Sequence, residues 1–184
     1  MGMLNPLQIL TKYWGFNSFR SSQEEIINEV LAGRDTLALL PTGGGKSICY
    51  QVPGMMKDGI CLVVSPLISL MKDQVSSLQS KGIKAMALTS GMTLSEVDIA
   101  LDNCIYGSFK FLYLSPERLQ NKMVQERLKK MHINLIAVDE AHCISEWGYD
   151  FRPAYLKIAE IRSFIDAPLL ALTATATPDV VEDI

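Results

Sequence analysis

Six short apolar runs recur along the chain, and segments that favour helix or turn lie between them. The runs lack the in-out alternation of a half-exposed strand, as is typical of parallel strands covered on both faces. They are TLALL (36–40), ICLVVS (60–65), KAMAL (84–88), KFLYLS (110–115), LIAVD (135–139) and LLALT (169–173). The repeated order of strand, helix and strand predicts a three-layer α/β fold, with a parallel sheet between two layers of helices.

Helical spacing and start signals predict the segments between the strands. The expected helices cover residues 22–32, 66–80, 93–105, 116–130 and 154–165, and a last one opens at Pro178. Residues Thr93-Leu-Ser-Glu96 form a possible capping box. Pro66 and Pro116 stand in the first helical turn, where proline is tolerated.

Composition and charge limit the class of protein. The 184 residues suffice for one domain, and 48% apolar with 20% charged residues is ordinary globular composition. No apolar run approaches the roughly 20 residues that span a bilayer, and no signal peptide is visible, so we expect an intracellular protein without a membrane segment. The four cysteines lack C-x-x-C spacing, so neither zinc nor a disulfide is expected. The net charge of −3 argues against coating nucleic acid by bulk charge, but it allows a few placed contacts.

Polar and glycine-rich motifs follow the apolar runs. They are PTGGGKS, SPLISL, TSG, SPERL, DEAH and TATAT. In parallel sheets ligands bind at the carboxyl ends of the strands, where these motifs are expected to lie. This agreement between architecture and motif position indicates one functional edge of the sheet.

The stretch PTGGGKS predicts a phosphate-binding loop. Its glycines allow successive backbone N–H groups to point at an anion, and the helix that follows adds the positive end of its dipole. Lys46 supplies a cation for the β and γ phosphates, and Ser47 offers a hydroxyl to Mg²⁺. The usual pattern G-x-x-x-x-G-K-[ST] has a glycine where this chain has Leu40, and a merely flexible loop is the alternative. The expected nucleotide-binding residues here are Thr42, Gly43, Gly44, Gly45, Lys46 and Ser47.

The stretch LIAVDEAH ends a predicted buried strand in two acids. Asp139 is placed to hold Mg²⁺, and Glu140 can orient and deprotonate an attacking water. With Lys46 they form the expected catalytic set, although a charged pair that only meets solvent is the alternative. His142 follows two residues later, and we expect it to make a sensor contact within the site.

Aromatic residues crowd the segment SEWGYDFRPAY directly after these acids. Aromatic rings with an arginine among them can stack on bases and hold phosphate, and burial in the core is the alternative. Gly148, Asp150 and Pro153 interrupt any regular period, so the segment is predicted to be a loop. Its aromatic residues are Trp147, Tyr149, Phe151 and Tyr155.

The ordered motifs together resemble the first motor domain of a RecQ-family DNA helicase, within helicase superfamily 2. They are WGFNSFRSSQ, LPTGGGKS, VVSPLISLMKDQV, YLSPERL, VDEAHCISEWGYDFRPAY and LTATAT, from about residue 7 to the end. The combination of DEAH with CISEWGYDFRP is close to diagnostic, and a loop without the first glycine is usual in this superfamily. The resemblance implies a single RecA-like P-loop NTPase domain over residues 1–184, which uses ATP and Mg²⁺ in 3′-to-5′ DNA unwinding for repair or recombination.

The resemblance also implies roles for individual residues. Phe16, Arg20 and Gln23 fall on the adenine-recognition segment, where many relatives have Pro-Gly in place of Ser21-Ser22. The loop residues Trp147, Phe151 and Arg152 would sense single-stranded DNA and couple it to hydrolysis. The DNA track would include Ser65, Pro66 and Ser115, although each Ser-Pro pair could simply start a helix. Thr173 and Thr175 would link the state of ATP to movement.

Family resemblance further implies a second motor domain in cis, which closes the cleft with an arginine. Because the sequence stops soon after TATAT, we expect a monomeric fragment that binds Mg-ATP weakly and unwinds nothing alone. It would come from the cytoplasm or nucleoid of a bacterium, or from a eukaryotic nucleus. Two rivals stay open: an NTPase that acts on a protein or small molecule, and a non-catalytic binding scaffold.

Overall fold

Six parallel strands form the centre of the molecule. The computed structural model describes residues 4–148 and 150–184. The strands are β1 (Thr36–Leu39), β2 (Ile60–Val64), β3 (Ala85–Leu88), β4 (Phe111–Leu114), β5 (Ile133–Val138) and β6 (Leu169–Thr173). They pair in the order β1-β6-β5-β2-β4-β3. All six predicted strands are confirmed, and β5 begins ahead of its apolar run.

Helices cover both faces of this sheet. They are α1 (Pro6–Trp14), α2 (Gln23–Leu31), α3 (Ile48–Met56), α4 (Ile68–Ser80), α5 (Leu94–Tyr106), α6 (Pro116–Leu119), α7 (Lys122–Leu128) and α8 (Pro178–Asp183). Two 3₁₀ segments, Ala141–Ile144 and Pro153–Ser163, complete the fold. No helix among these described residues is long and apolar enough to cross a membrane.

Successive side chains of β2 enter two different cores. Leu62 and Val64 pack in a cluster with residues of α5 and α7, whereas Cys61 and Val63 pack in a second cluster with residues of α3 and α4. Because neighbouring side chains of a strand point to opposite faces, the two clusters lie on opposite sides of the sheet. The predicted three-layer α/β architecture is therefore confirmed.

Four helical segments differ from the sequence prediction. The helix expected over 116–130 is two helices, because the Asn121 side chain accepts hydrogen bonds from the N–H groups of Met123 and Val124 and starts α7 anew. Residues 153–163 are 3₁₀ and not α-helical. Helix α4 begins at Ile68, so Pro66 lies outside it. Helix α1 was not predicted, although a capping box between Asn5 and Gln8 marks its start.

Strand order divides the carboxyl edge of the sheet into two halves. The adjacent strands β1, β6 and β5 lead into the glycine loop, the TATAT motif and the acid pair. The adjacent strands β2, β4 and β3 lead into the two Ser-Pro motifs and TSG. The fold therefore brings one set of motifs together on each half.

Candidate functional site

The glycine loop is shaped by its backbone. Gly43 and Gly45 have φ angles of +78° and +74°, which side chains with a Cβ rarely adopt. Between them, the Gly44 N–H donates to the Pro41 carbonyl at 2.8 Å and closes a turn. A Cβ on Gly44 would lie 2.8 Å from that same oxygen. Each glycine is therefore required for this conformation.

Leu40 belongs to the core and not to the loop. Its backbone N–H donates to the Thr173 carbonyl at 3.1 Å, which continues the pairing of β1 with β6 by one residue. Its side chain is buried in the cluster that also holds residues of α3. The departure from the usual phosphate-loop pattern thus falls where the chain is still part of the sheet.

Two side chains from the segment before β1 hold the glycine loop. The Gln23 amide donates to the carbonyls of Gly44 and Gly45 at 3.4 and 3.0 Å, and its oxygen accepts from the Arg20 N–H at 2.8 Å. The Arg20 guanidinium donates to the Gly43 carbonyl at 2.7 Å. Gln23 is buried, so in this structure its amide binds the loop and is not free for a nucleobase. Adenine recognition by Arg20 and Gln23 therefore stays a prediction that requires these contacts to change.

The acid pair lies at the end of β5. The Asp139 N–H donates to the Val64 carbonyl at 2.9 Å, and the Asp139 carbonyl accepts from the Tyr155 hydroxyl at 2.9 Å. The Asp139 carboxylate accepts from the Glu140 N–H at 2.9 Å. Glu140 has a φ of +53°, a conformation uncommon outside glycine. Its carboxylate lies 3.6 Å from the Lys46 ammonium, so the acids and the glycine loop form one site.

Burial raises the pKa of the Asp139 carboxyl, and the adjacent Glu140 carboxylate raises it further. Lys46 and the Glu140 N–H act in the opposite direction on this pKa, but burial is the larger cause. A cation next to Asp139 would offset both unfavourable effects. The position therefore fits a divalent metal, with oxygen ligands of the kind Mg²⁺ prefers.

His142 joins the acid pair to the TATAT motif. Its Nδ1 lies 2.8 Å from the Thr173 hydroxyl and 3.4 Å from the Glu140 carboxylate. The Thr173 hydroxyl donates in turn to the Thr175 carbonyl at 3.0 Å. Since that hydroxyl has one proton, it is left to accept from an Nδ1–H of His142. The structure thus places His142 of DEAH in contact with Thr173 of TATAT.

A cavity of about 460 Å³ opens beside the glycine loop. Phe16, which is 51% exposed, lines it together with Arg20, Gly45 and Ser47. Sequence reasoning missed other lining residues, among them Trp14, Asn17, Gln51 and Gln74. Gln51 lies one turn after Ser47 and donates to Gln74 at 2.9 Å. The spacing of one helical turn from Ser47 could have indicated that Gln51 faces the same site. Gln74 could not be found in this way, because its contact with Gln51 depends on how α3 and α4 pack together.

A second groove, of about 470 Å³, lies at the other half of the edge. Pro66 and Ser115 line it, as do Ser90, Arg118 and Asn121, which sequence reasoning missed. Arg118 donates to the carbonyls of Thr89 and Met92 at 2.8 and 3.0 Å, so it ties α6 to the exit of β3.

The two serines of this half differ from each other. The Ser65 side chain is buried, and its hydroxyl has no hydrogen-bond partner among the described residues. The Ser115 hydroxyl accepts from the Arg118 N–H at 3.2 Å and caps α6. A direct phosphate contact by the Ser65 hydroxyl therefore requires this side chain to become exposed. The Ser115 hydroxyl caps α6, which is the helix-start role that the sequence analysis gave as the alternative to DNA binding.

Residues 145–148 and 150–152 of the aromatic segment form a loop, as predicted, whereas residues 153–155 begin the 3₁₀ segment Pro153–Ser163. Trp147 is 77% exposed, and Phe151 and Arg152 are partly exposed. Tyr155 differs from the prediction of an aromatic group free to stack, because it is buried and its hydroxyl holds the Asp139 carbonyl. Tyr149, which the sequence analysis named, lies outside the described residues.

One group of possible metal ligands occurs among the residues described. Ligand atoms of His142, Cys143 and Asp150 all lie within 4.8 Å of one another. Burial raises the pKa of the Cys143 thiol to about 12, and the Asp150 carboxylate acts in the same direction. The Cys143 thiol donates to the Asp150 carboxylate at 3.8 Å, and it would have to lose this proton to bind a metal.

The fold and the site together define a nucleotide-binding domain of RecA-like fold with a phosphate loop. Residues 20–184 match the family model described as DEAD/DEAH box helicase. The chain belongs to that family.

Curated relatives are similar over nearly the whole chain. It is 52% identical over 179 residues to the probable ATP-dependent DNA helicase RecS of Bacillus subtilis, covering 96% of this chain and 36% of that protein. It is 48% identical over 179 residues to the ATP-dependent DNA helicase RecQ of Haemophilus influenzae, covering 97% of this chain and 29% of that protein. The chain thus spans about a third of the length of these relatives.

Solved structures agree on the fold. The DUF1998 helicase MrfA bound to DNA and AMPPNP superposes with a TM-score of 0.77 at 16% identity, over 98% of this chain and 28% of that one. The Hef helicase domain of Pyrococcus furiosus superposes with a TM-score of 0.67 at 23% identity, over 89% of this chain and 34% of that one.

Proposed function

We propose that this chain is the first motor domain of a RecQ-type ATP-dependent DNA helicase. The observation that carries the proposal is the continuity of the site. Glu140 contacts Lys46 of the phosphate loop and His142 of the segment that leads into the exposed aromatic loop. The first contact joins the acid pair to the phosphate loop, as an NTPase site requires, and the second joins it to the segment proposed to sense nucleic acid. The RecS and RecQ relatives support this choice.

ATP would bind between the glycine loop and the cavity beside it. The backbone N–H groups of residues 42–47 would bind the phosphates, and the exposed ring of Phe16 would stack on the base. Lys46 would turn from Glu140 to the β and γ phosphates. That movement would free the Glu140 carboxylate for the attacking water.

Mg²⁺ is the metal that best fits the site. Ser47 and Asp139 would hold it, and when bound it would neutralise charge on the phosphates. Glu140 would accept the proton of the water. Lys46 would stabilise the charge that develops on the γ phosphate, and a second motor domain in cis would supply an arginine.

DNA would follow the other half of the sheet edge and the aromatic loop. The groove of about 470 Å³ beside Pro66 and Ser115 would take the backbone, since N–H groups at helix starts bind phosphate. Trp147 would stack on an unpaired base, with Phe151 and Arg152 beside it. A movement of His142 on ATP binding or hydrolysis would shift Thr173 and Thr175, which are hydrogen-bonded in sequence to it, and through them the aromatic loop. The full-length protein would translocate 3′-to-5′ in repair or recombination, inside a bacterial cell or a eukaryotic nucleus.

Hydrolysis of ATP by the full-length protein, with and without single-stranded DNA, tests the proposal. We expect DNA to stimulate turnover and Glu140→Gln to lower it by at least about a hundredfold while nucleotide binding persists. The matched control is Glu160→Gln, an exposed acid of the 3₁₀ segment Pro153–Ser163, which should hydrolyse normally. Turnover that ignores DNA would favour an NTPase acting on another substrate, and no turnover at all would favour a scaffold.

A further inference from the structure

The aromatic loop is held from α8 by a contact that joins Ser145 to Asp183. The Ser145 side chain is fully buried, and its hydroxyl donates to the Asp183 carboxylate at 2.5 Å. The same hydroxyl oxygen accepts from the Trp147 N–H at 3.2 Å. Short hydrogen bonds to a carboxylate are among the stronger ones in proteins. Asp183 thus reaches the backbone of Trp147 through one intervening oxygen.

Trp147 combines a fixed backbone with an exposed ring. Its ring is 77% exposed, while its N–H is bound to Ser145. The next residue closes the turn, since the Gly148 N–H donates to the Ser145 carbonyl at 3.1 Å. A Cβ on Gly148 would lie 2.8 Å from the His142 carbonyl, so the loop passes close over the DEAH segment. Further along, the Arg152 N–H donates to the Cys143 carbonyl at 2.8 Å.

Asp183 itself is positioned by its helix. Val180 of α8 is buried, and the Thr177 side chain accepts from the Val180 N–H at the start of the helix. Helix α8 also packs against the 3₁₀ segment Ala141–Ile144. The chain from β6 to α8 therefore contacts both ends of that segment: Thr173 binds His142 at one end, and Asp183 binds Ser145 at the other.

We infer that Asp183 is a positioning residue, which fixes the loop that carries Trp147 through the buried hydroxyl of Ser145. Without this carboxylate, the Ser145 hydroxyl would be a buried donor without an acceptor, which is energetically unfavourable. Residues 145–148 would then move outward, so that water could accept from the hydroxyl. The ring of Trp147 would then sample many orientations. The consequence for DNA rests on the function proposed above, but the contact and its effect on the loop do not.

The first test observes the loop without DNA. The chain has two tryptophans, so Trp14→Phe leaves Trp147 as the sole tryptophan, which can be excited selectively over the tyrosines. In that background, Asp183→Ala should lower the steady-state anisotropy of Trp147, and Ser145→Ala should do the same. The double substitution should do no more than Ser145→Ala alone, since Ser145→Ala already removes the hydrogen bond to Asp183 together with the acceptor of the Trp147 N–H. Asp183→Asn should restore part of the anisotropy, because its side-chain oxygen can still accept.

Glu182→Gln is the matched control, because it removes one negative charge from the same exposed helix. It should leave the Trp147 anisotropy unchanged. Anisotropy in Asp183→Ala equal to that of the parent chain would overturn the inference, and so would equal losses in Asp183→Ala and Glu182→Gln.

The second test measures coupling in the full-length protein. Asp183→Ala should raise the concentration of single-stranded DNA needed for half-maximal ATPase stimulation by roughly tenfold, as expected for loss of a hydrogen bond to a charged group. Asp183→Asn should lie between it and the parent. A loosened loop with unchanged DNA response would support the positioning contact and refute the aromatic loop as the DNA sensor. An unchanged loop would refute the positioning role whatever DNA does.

Discussion

Glu140 combines a strained backbone with carboxylate contacts to both Lys46 and His142. Its left-handed backbone is expected to cost roughly 1–3 kcal/mol, and the neighbouring contacts must offset that cost. The conformation directs the carboxylate to within reach of both Lys46 and His142, at 3.6 and 3.4 Å. Strain of this kind at a strand exit is characteristic of functional positions, and here it serves the geometry of the acid pair.

Asp139 should destabilise the fold when no nucleotide is bound. Its pKa is raised in the folded chain by burial and by Glu140, so the stability that the neutral acid provides is lost as the pH rises through the folded-state value. Asp139→Asn should therefore raise the Tm of the nucleotide-free chain at neutral pH. The gain should vanish as the pH falls below the unfolded-state pKa of about 3.9. Thermal unfolding followed by circular dichroism across this pH range measures both effects.

The control for this prediction is Asp73→Asn, on an exposed acid of α4. It should change stability by no more than about 0.5 kcal/mol. A lower Tm for Asp139→Asn at neutral pH would contradict the claim that the buried Asp139 carboxylate destabilises the fold when no cation is bound beside it.

At the scale of elements, the phosphate loop depends on the start of α2. Gln23 and Arg20 bind the carbonyls of all three glycines, and a Cβ on Gly45 would lie 2.3 Å from the Gln23 amide nitrogen. The residues that the sequence predicted to recognise adenine thus shape the loop that is proposed to bind phosphate. Nucleotide affinity then depends on a contact that is independent of the base.

Gln23→Ala should therefore weaken ATP and GTP binding by the same factor, on the order of tenfold, because the freed carbonyls let the loop relax. Titration with fluorescent analogues of both nucleotides measures this factor. Gln79→Ala is the matched control, since Gln79 also donates to a backbone carbonyl, that of Ala85, but away from the loop. A loss confined to ATP would instead confirm base recognition by Gln23.

The strands and the site motifs could be predicted because their signals are local. Each buried strand is a short apolar run, and the glycines and acids follow the runs directly. The break between α6 and α7 was missed because one Asn121 side chain outweighs a continuous helical pattern. The roles of Gln23, Tyr155 and Asp183 depend on partners 16 or more residues away, which spacing along the chain does not reveal.

At the scale of the whole molecule, sheet order assigns the two functions to two halves of one edge. The nucleotide motifs follow β1, β6 and β5, and the proposed DNA motifs follow β2, β4 and β3. Paired strands β5 and β2 lie at the boundary, and the Asp139 N–H binds the Val64 carbonyl across it at 2.9 Å. The aromatic loop follows β5 at this boundary, so it is suited to couple DNA binding on one half of the edge to ATP hydrolysis on the other.

The central claim is that hydrolysis in this domain responds to single-stranded DNA through the aromatic loop. The most direct measurement is the ATPase rate of the full-length protein with Trp147→Ala, followed as the concentration of single-stranded DNA is raised from zero. Loss of one stacked base is worth about 1–3 kcal/mol, so half-maximal stimulation should require roughly 5- to 150-fold more DNA. Tyr106→Ala, which removes an aromatic ring 84% exposed on α5, is the control and should keep the parent response. An unchanged response in Trp147→Ala would contradict the account.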